Sequence, residues 1–379
     1  MSLRILHIYK DYYPVLGGIE GHVRLLAEGQ AARGNQVTVL VTNPDGLRTV
    51  VKQEHGVRVV RSARLATVAS TPLSLALPWE LWRSRADVIH LHFPYPIGEI
   101  SQWGLRRGRR TVLTYHSDVI RQAAILRLYR PLLRRVLRRV DAFVVASPQM
   151  RRSLYLAEYQ ARVHVIPYGL DLARFQAEPD AADLARVRAA CSTEPAPAEP
   201  GMPVLLFVGR LRYYKGLDVL IRALPDIRAR LLVAGTGPMA GEWRALAGTV
   251  GVGDRVVWLG DFADADLPLL YHLADLFVLP ASHPSEAFGL VQVEAMAAGL
   301  PVVCSEVGTG TSYVNQDGVT GRVVPAGQPG VLAGAINELL ADPVLRARMS
   351  AAARARVGGE FALETMVTRV LALYDQILQ

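Results

Sequence analysis

Short, nearly continuous apolar runs alternate along this chain with longer segments whose apolar residues recur at helical spacing. In the first half the runs are Ile5–Tyr9, Gln36–Thr42, Val57–Arg61, Asp87–His92, Thr111–Tyr115, Ala142–Ala146 and Val163–Pro167. Helical stretches lie between most of them, notably Ile19–Arg33 and Arg121–Arg139. Strands alternating with helices predict a parallel sheet covered on both faces. A second series restarts at Pro203 with Val204–Val208, Arg230–Ala234, Arg255–Leu259, Asp275–Leu279 and Pro301–Cys304. Between the series, 177–202 is rich in Ala, Pro and Glu and carries Pro195, Pro197 and Pro200, the composition of a linker. Phe361–Gln379 has apolar Leu363, Met366, Val367, Val370, Leu371 and Tyr374 at helical spacing. The expected fold is α/β, with two doubly wound parallel-sheet domains. In such domains ligands bind at the carboxyl ends of the strands, hence in the cleft between the two.

Composition narrows the class. With 51% hydrophobic and 20% charged residues the chain reads as a soluble globular protein. It has no apolar run of about 18 residues that could span a bilayer. The N-terminus opens on a strand pattern rather than on a signal peptide. Cys191 and Cys304 are too few for a disulfide framework or a Cys-rich metal site, so a reducing, cytoplasmic setting is expected. Charge is uneven: Met1 to Leu170 holds 25 Lys+Arg against 11 Asp+Glu, a net of +14, while the remainder is net −6. A basic half suggests an anionic partner on that side. No zinc pattern, aromatic RNA-binding strand or helix-turn-helix spacing points to nucleic acid.

The residues after the strands carry the chemistry. After the apolar run ending at Pro280 comes Ser285-Glu286-Ala287-Phe288-Gly289-Leu290, then Glu294 inside a small-residue helix. Free N–H groups of Phe288, Gly289 and Leu290 at the helix start would form an anion site. Glu286 and Glu294 flank it, and carboxylates accept hydrogen bonds from vicinal hydroxyls, so one could hold a sugar and the other a ribose. The second half opens with Phe207-Val208-Gly209-Arg210, followed by Lys215-Gly216. The chain has only three lysines, Lys10, Lys52 and Lys215, against 39 arginines, so a surviving lysine marks a place suited to a compact ammonium. Arg210 and Lys215 could jointly neutralise a diphosphate. In the first half, Gly17-Gly18 opens a helix where backbone could approach a ligand, and His116-Ser117-Asp118 follows a strand. A histidine there could hydrogen-bond a hydroxyl or be tied structurally to a carbonyl. Ala234-Gly235-Thr236-Gly237-Pro238 is too short for a dinucleotide fingerprint, which argues against a nicotinamide dehydrogenase. Asp264-Ala265-Asp266 reads as the N-cap and first turn of a helix rather than as a metal–diphosphate ligand.

Together these residues resemble the retaining nucleotide-sugar glycosyltransferases of the GT-B fold, family 4. The matches are Gly17-Gly18-Ile19-Glu20, His116-Ser117-Asp118, Pro167-Tyr168-Gly169-Leu170-Asp171, Gly209-Arg210 with Lys215-Gly216, Glu286 through Glu294, Gly299-Leu300-Pro301-Val302-Val303 and Asn315-Gln316-Asp317-Gly318. The family usually has Asn at the position of Tyr168. The resemblance implies an N-terminal acceptor-side domain, 1–175, onto which the final helix, about 361–379, crosses back. It implies a linker region, 176–202, and a C-terminal donor domain, 203–360. It implies that Arg210 and Lys215 hold the diphosphate, with Gly17 and Gly18 approaching it. Glu286 and the 288–290 amides would hold the sugar, Glu294 the ribose, and Asp261 and Phe262 would border the base. His116 would lie beside the reacting sugar, with Lys10, Tyr12 and Asp118 on the acceptor side. His116, Glu286, Arg210 and Lys215 are therefore the candidate catalytic residues. No cofactor and no metal are expected, because two cations and helix-start amides would stabilise the leaving diphosphate.

The run from Glu286 to Gly321 looks most like bacterial mannosyl- or rhamnosyltransferases of polysaccharide assembly. The expected reaction is transfer of a hexose, mannose from GDP-mannose first, to a glycan or polyprenyl-linked acceptor. A UDP-sugar donor, a sugar-nucleotide epimerase and a non-catalytic sensor are the alternatives. The segment Arg127–Arg139 has one apolar face, with Arg130, Arg134, Arg135, Arg138 and Arg139 over much of the rest. It could dock on anionic lipid at the inner face of the cell membrane, or simply present a solvated outer side.

Overall fold

The computed structural model describes residues 2–15, 17–68, 71–118, 123–191 and 201–379. The chain forms two compact units, Met1–Gly169 with Leu363–Gln379, and Leu170–Ala362.

The first unit contains β1 (Arg4–Ile8), β2 (Gln36–Thr42), β3 (Val50–Glu54), β4 (Val57–Ser62), β5 (Ala66–Val68), β6 (Thr71–Leu73), β7 (Val88–Phe93), β8 (Arg110–Tyr115), β9 (Ala142–Val145) and β10 (Val163–Val165). Eight of these form one sheet in the order β10-β9-β8-β7-β1-β2-β4-β3, parallel except for β3 against β4. The central strands are buried along nearly their whole length, as strands covered on both faces must be. The order reverses between β1 and β7. β3 does not appear in the apolar pattern because its Lys52, Gln53 and Glu54 belong to an edge strand that water can reach. It joins β4 through His55-Gly56, whose φ values of 47° and 80° are those of a tight two-residue hairpin turn. The helix Leu363–Leu378 belongs to this unit and packs on the helix Gly18–Ala32. Gly29 makes that approach possible: a Cβ there would sit 2.7 Å from Val367 Cγ2.

The second unit holds β11 (Val204–Val208), β12 (Arg230–Ala234), β13 (Val256–Gly260), β14 (Leu276–Leu279), β15 (Val302–Glu306) and β16 (Gly321–Pro325). They make a six-stranded sheet in the order β13-β12-β11-β14-β15-β16, parallel throughout. Here the order reverses between β11 and β14. β16 escapes the apolar pattern because Gly321 and Pro325 bracket it. Gly321 is required there, since a Cβ would fall 1.8 Å from the carbonyl oxygen of Val302.

The boundaries differ from those expected. The first unit ends at Gly169 rather than at 175, and part of the expected linker is helical. Asp180 caps a helix, Ala181–Ala190, by accepting from Ala182 N at 2.8 Å and Asp183 N at 3.3 Å. Arg186 on that helix pairs with Asp266 at 2.8 Å, tying it into the second unit. Pro195, Pro197 and Pro200 lie outside the described residues.

Candidate functional site

The reversal between β11 and β14 decides which residues meet. Adjacent parallel strands whose connections leave in opposite directions open a crevice at their carboxyl ends, and there the loops after β11 and β14 come together. Gly209, at φ +147°, turns the chain out of β11. Gly216, at φ +67°, brings it back so tightly that a Cβ would lie 1.9 Å from the carbonyl oxygen of Pro280. Lys215 is thereby carried to the end of β14, where its Nζ lies 2.6 Å from Glu286 Oε2. Both side chains are nearly closed to solvent, at 11% and 9%. Arg210 stands exposed at the mouth of the same loop.

Behind the ion pair the backbone is braced. Thr309 Oγ1 donates to the carbonyl oxygen of Glu286 at 2.6 Å, and Gly310 N donates to that of Ala287 at 2.8 Å. Gly289, at φ +78°, occupies the N-cap position of the helix Leu290–Ala297. The free N–H groups of that first turn therefore begin three residues after Glu286, the order an anion site needs. Phe288 is buried and Leu290 half-buried.

Glu294 lies on this helix, half-buried, with the Tyr271 hydroxyl donating to its Oε2 at 2.7 Å. Burial pushes its carboxyl up to about 7, against the pull of Tyr271, Arg174 and Lys215. Asp261 is exposed and Phe262 partly so, immediately after β13. Asp264 pairs with Arg174 at 3.0 Å and Asp266 with Arg186. Asp266 holds the N-cap position of the helix Leu267–Leu273, but its side chain makes no cap hydrogen bond. That part of the sequence expectation is corrected: each carboxylate of Asp264-Ala265-Asp266 answers an arginine from the preceding segment.

In the first unit Gly17 and Gly18 are exposed at the start of their helix. A Cβ on Gly17 would stand 2.1 Å from Glu20 Oε2, so the carboxylate of Glu20 folds over bare backbone. Lys10 is half-buried, with its Nζ 5.6 Å from the centre of the Tyr9 ring. Tyr12 is a core residue, 3% exposed. Asp118 is exposed and accepts from Ser153 Oγ at 2.8 Å and from the Tyr115 hydroxyl.

His116 differs most from expectation. It is 2% exposed, and both ring nitrogens are engaged: Nδ1 with the Tyr168 hydroxyl at 2.6 Å, Nε2 with His92 Nδ1 at 3.0 Å. Both are occupied by protein partners. Of the residues that hold it, Tyr168 was noted in the sequence only as a departure from the family's Asn, while His92 and the further histidines His7, His22 and His90 were not found from the sequence. Their signal was present in His90-Leu91-His92, because alternate residues of a strand share a face.

A family model described as "Glycosyltransferase Family 4" matches residues 16–174, and one described as "Glycosyl transferases group 1" matches residues 193–356. The chain is 35% identical over 382 residues to the O-antigen chain mannosyltransferase C of Escherichia coli, covering 100% of this chain and 99% of that one. It is 37% identical over 359 residues to the D-rhamnosyltransferase WbpZ of Pseudomonas aeruginosa, covering 93% and 91%. Among solved structures, a sucrose-phosphate synthase from Thermosynechococcus elongatus superposes with a TM-score of 0.79 at 26% identity, covering 99% of each chain. Full-length likeness at this identity, two parallel-sheet units and a cation–carboxylate pair at a sheet's reversal point all agree: the chain belongs to glycosyltransferase family 4, has the GT-B fold, and is a glycosyltransferase.

Proposed function

We propose that this enzyme moves a hexose, mannose from GDP-mannose first, onto a glycan or lipid-linked acceptor, keeping the anomeric configuration and using no metal at the diphosphate. The observation that carries this reading is the buried contact of Lys215 with Glu286 in front of the helix Leu290–Ala297. A sugar diphosphate offers each partner something better: phosphate oxygens for Lys215 and Arg210, sugar hydroxyls for Glu286, and the helix-start amides of 288–290 between them. Glu294, held by Tyr271, is spaced to take the ribose hydroxyls, and Asp261 and Phe262 to border the base.

In the transfer, the bond from the anomeric carbon to the β-phosphate oxygen breaks. The acceptor hydroxyl oxygen bonds to that carbon from the same face. Its proton passes to the departing phosphate oxygen, whose charge Arg210 and Lys215 stabilise. Glu286 is paired with a lysine, which suits a hydroxyl-binding group rather than a covalent nucleophile. His116 enters as a positioning residue, since its ring nitrogens are both occupied. Mannose is favoured by the full-length likeness to a mannosyltransferase.

The basic half supports docking on anionic lipid at the inner face of the cell membrane. Among the described residues no helix is long and apolar enough to cross a membrane. The helix Ala123–Arg138 buries Leu133, Val136 and Leu137 and exposes Arg130, Arg134, Arg135 and Arg138.

Melting curves with GDP-, UDP- and dTDP-sugars test the donor, because a ligand that binds only the folded state raises its stability by mass action. GDP-mannose is expected to give the largest shift, and proton spectra of the product an unchanged anomeric configuration. A larger shift with UDP-sugars, or an inverted product, overturns the corresponding part.

A further inference from the structure

Five of the chain's nine histidines meet inside the first unit: His7 on β1, His22 on the helix Gly18–Ala32, His90 and His92 on β7, and His116 just after β8. All five are buried. Strand register places them: His7 is paired with His90, and His92 with Thr114. Four of them have their nitrogens fully occupied. His7 Nε2 meets Gln30 Oε1 at 2.7 Å, and His7 Nδ1 meets His92 Nε2 at 3.0 Å. His92 Nδ1 meets His116 Nε2 at 3.0 Å, and Tyr168 closes the row on His116 Nδ1. His90 is held separately by Thr114 Oγ1 at 2.6 Å and by the Tyr374 hydroxyl.

His22 breaks the pattern. Both its ring nitrogens are buried without a hydrogen-bond partner. Its ring stands 5.2 Å from that of His116, 5.8 Å from that of His92 and 4.6 Å from that of Tyr168. Leaving a buried N–H unpaired is costly, so such a group calls for an explanation. Donor nitrogens of His22, His92 and His116 all lie within 4.8 Å of one another. We propose that His22, His92 and His116 bind one zinc ion inside the first unit, and that this ion fixes the ring of His116.

The geometry fits that ion in several respects. Two nitrogens bound to one tetrahedral zinc at about 2.0–2.1 Å lie roughly 3.3–3.4 Å apart. The gap of 3.0 Å between His92 Nδ1 and His116 Nε2 is within a few tenths of an ångström of that edge. All three imidazoles are buried. Neutral imidazole is the form that binds zinc, and three of them with a water or hydroxide complete a tetrahedral site. The nitrogens facing away from the ion already have the partners such ligands need. With the ion bound, His92 Nε2 would donate to His7 and His116 Nδ1 would donate to Tyr168. The row beyond, from His7 to Gln30, stays unchanged.

The test is metal analysis of the full-length, tag-free protein, followed by titration of chelator-stripped protein with Zn²⁺ alone and with Co²⁺ as a visible probe. About one bound zinc per chain and the intense visible bands of tetrahedral Co²⁺ are expected. His22→Phe, which keeps a buried ring of similar size, is expected to weaken Zn²⁺ binding at least tenfold and to abolish the rise in melting temperature with Zn²⁺. Tyr168→Phe, which removes only the outer hydrogen bond, is expected to weaken binding roughly ten- to a hundredfold, and decides the matter if His22→Phe does not fold. Folded wild-type protein that takes up no Zn²⁺, or uptake that both variants leave unchanged, overturns the proposal. Neither readout involves sugar transfer, so failure here leaves the donor assignment standing.

Discussion

Lys215 Nζ lies 2.6 Å from Glu286 Oε2 in a setting where each side chain is about nine-tenths buried. Two groups so placed support each other in the free protein, and a ligand that separates them has to replace both contacts. Glu286→Ala removes hydrogen bonds of about 1.5–3 kcal/mol each and is expected to lower kcat/KM roughly ten- to over a hundredfold. It also leaves Lys215 as a buried cation without its partner, a loss of about 3–5 kcal/mol for such pairs. Denaturant unfolding of Glu286→Ala is therefore expected to show a marked loss that GDP partly restores by engaging Lys215. Lys215→Ala is expected to weaken nucleoside diphosphate binding itself. Unchanged kinetics in folded Glu286→Ala protein would remove this pair from the site.

The carboxylates of Asp264 and Asp266 pair with Arg174 and Arg186, and no metal is expected at the diphosphate. Sugar transfer is expected to run at the same rate with and without added Mg²⁺ or Mn²⁺, and Asp264→Asn is expected to keep it. Activity that appears only on adding either ion, and is lost in Asp264→Asn, would reverse this.

The proposed role of Glu294 at the ribose would make donor binding depend on pH. Its carboxyl is raised to about 7 by burial, with Asp264 adding to the rise and Tyr271, Arg174 and Lys215 opposing it. A ribose needs the carboxylate form as acceptor, so nucleotide affinity is expected to increase as pH rises from about 6 to 8. Glu294→Gln, measured by calorimetry across that range, is expected to bind more weakly and with a flat profile.

Stability should run the other way. Glu99 is buried, takes hydrogen bonds from Tyr95 N at 2.6 Å and from the Tyr129 hydroxyl, and is raised by burial to about 7 from an ordinary 4.5. A carboxyl with a raised folded-state value contributes stability that is complete below its unfolded value and fades as pH rises through the folded one. Between about pH 4.5 and 7 that is a loss on the order of 3 kcal/mol from this group. Glu99→Gln keeps the shape without the titration, so its stability is expected to depend less on pH over that window. Parallel unfolding profiles for the two proteins would show that Glu99 titrates normally.

What the sequence made legible follows from how each contact is encoded. The strands and the Gly209–Lys215 and Glu286–Glu294 loops were readable because each depends on one local pattern, an apolar run followed by a glycine turn. β3 and β16 were not, since one is a polar edge and the other is defined by Gly321 pressing on Val302 from a neighbouring strand. The ion pair joins residues 71 positions apart and exists only because β11 and β14 are neighbours. His116 was legible as a histidine after a strand, but its burial was not. That depends on His92 one strand away and on Tyr168 far along the chain.

The exposed arginines of Ala123–Arg138 have aromatic company. Trp79 and Trp82, one helical turn apart on Ala76–Arg83, stack with ring centres 5.0 Å apart and are 55% and 50% exposed. Leu75 beside them is 78% exposed. The helices Ala76–Arg83, Pro96–Leu105 and Ala123–Arg138 pack in succession, so the tryptophans and arginines belong to one layer of the first unit. Tryptophan favours the headgroup region of a bilayer, and each basic residue near an anionic surface contributes on the order of 1 kcal/mol, screened over about 8–10 Å at physiological salt. Binding to liposomes is therefore expected to require anionic lipid and to weaken sharply as salt is raised. Changing Arg134, Arg135, Arg138 and Arg139 to Gln is expected to remove the salt-sensitive part. Trp79→Ala with Trp82→Ala is expected to weaken the binding that survives high salt. Neither set touches the donor residues, so melting shifts with GDP-mannose should match those of the parent protein. A parent protein that ignores anionic liposomes at low salt would assign the basic layer to an acidic soluble glycan instead, with the glycosyltransferase assignment intact.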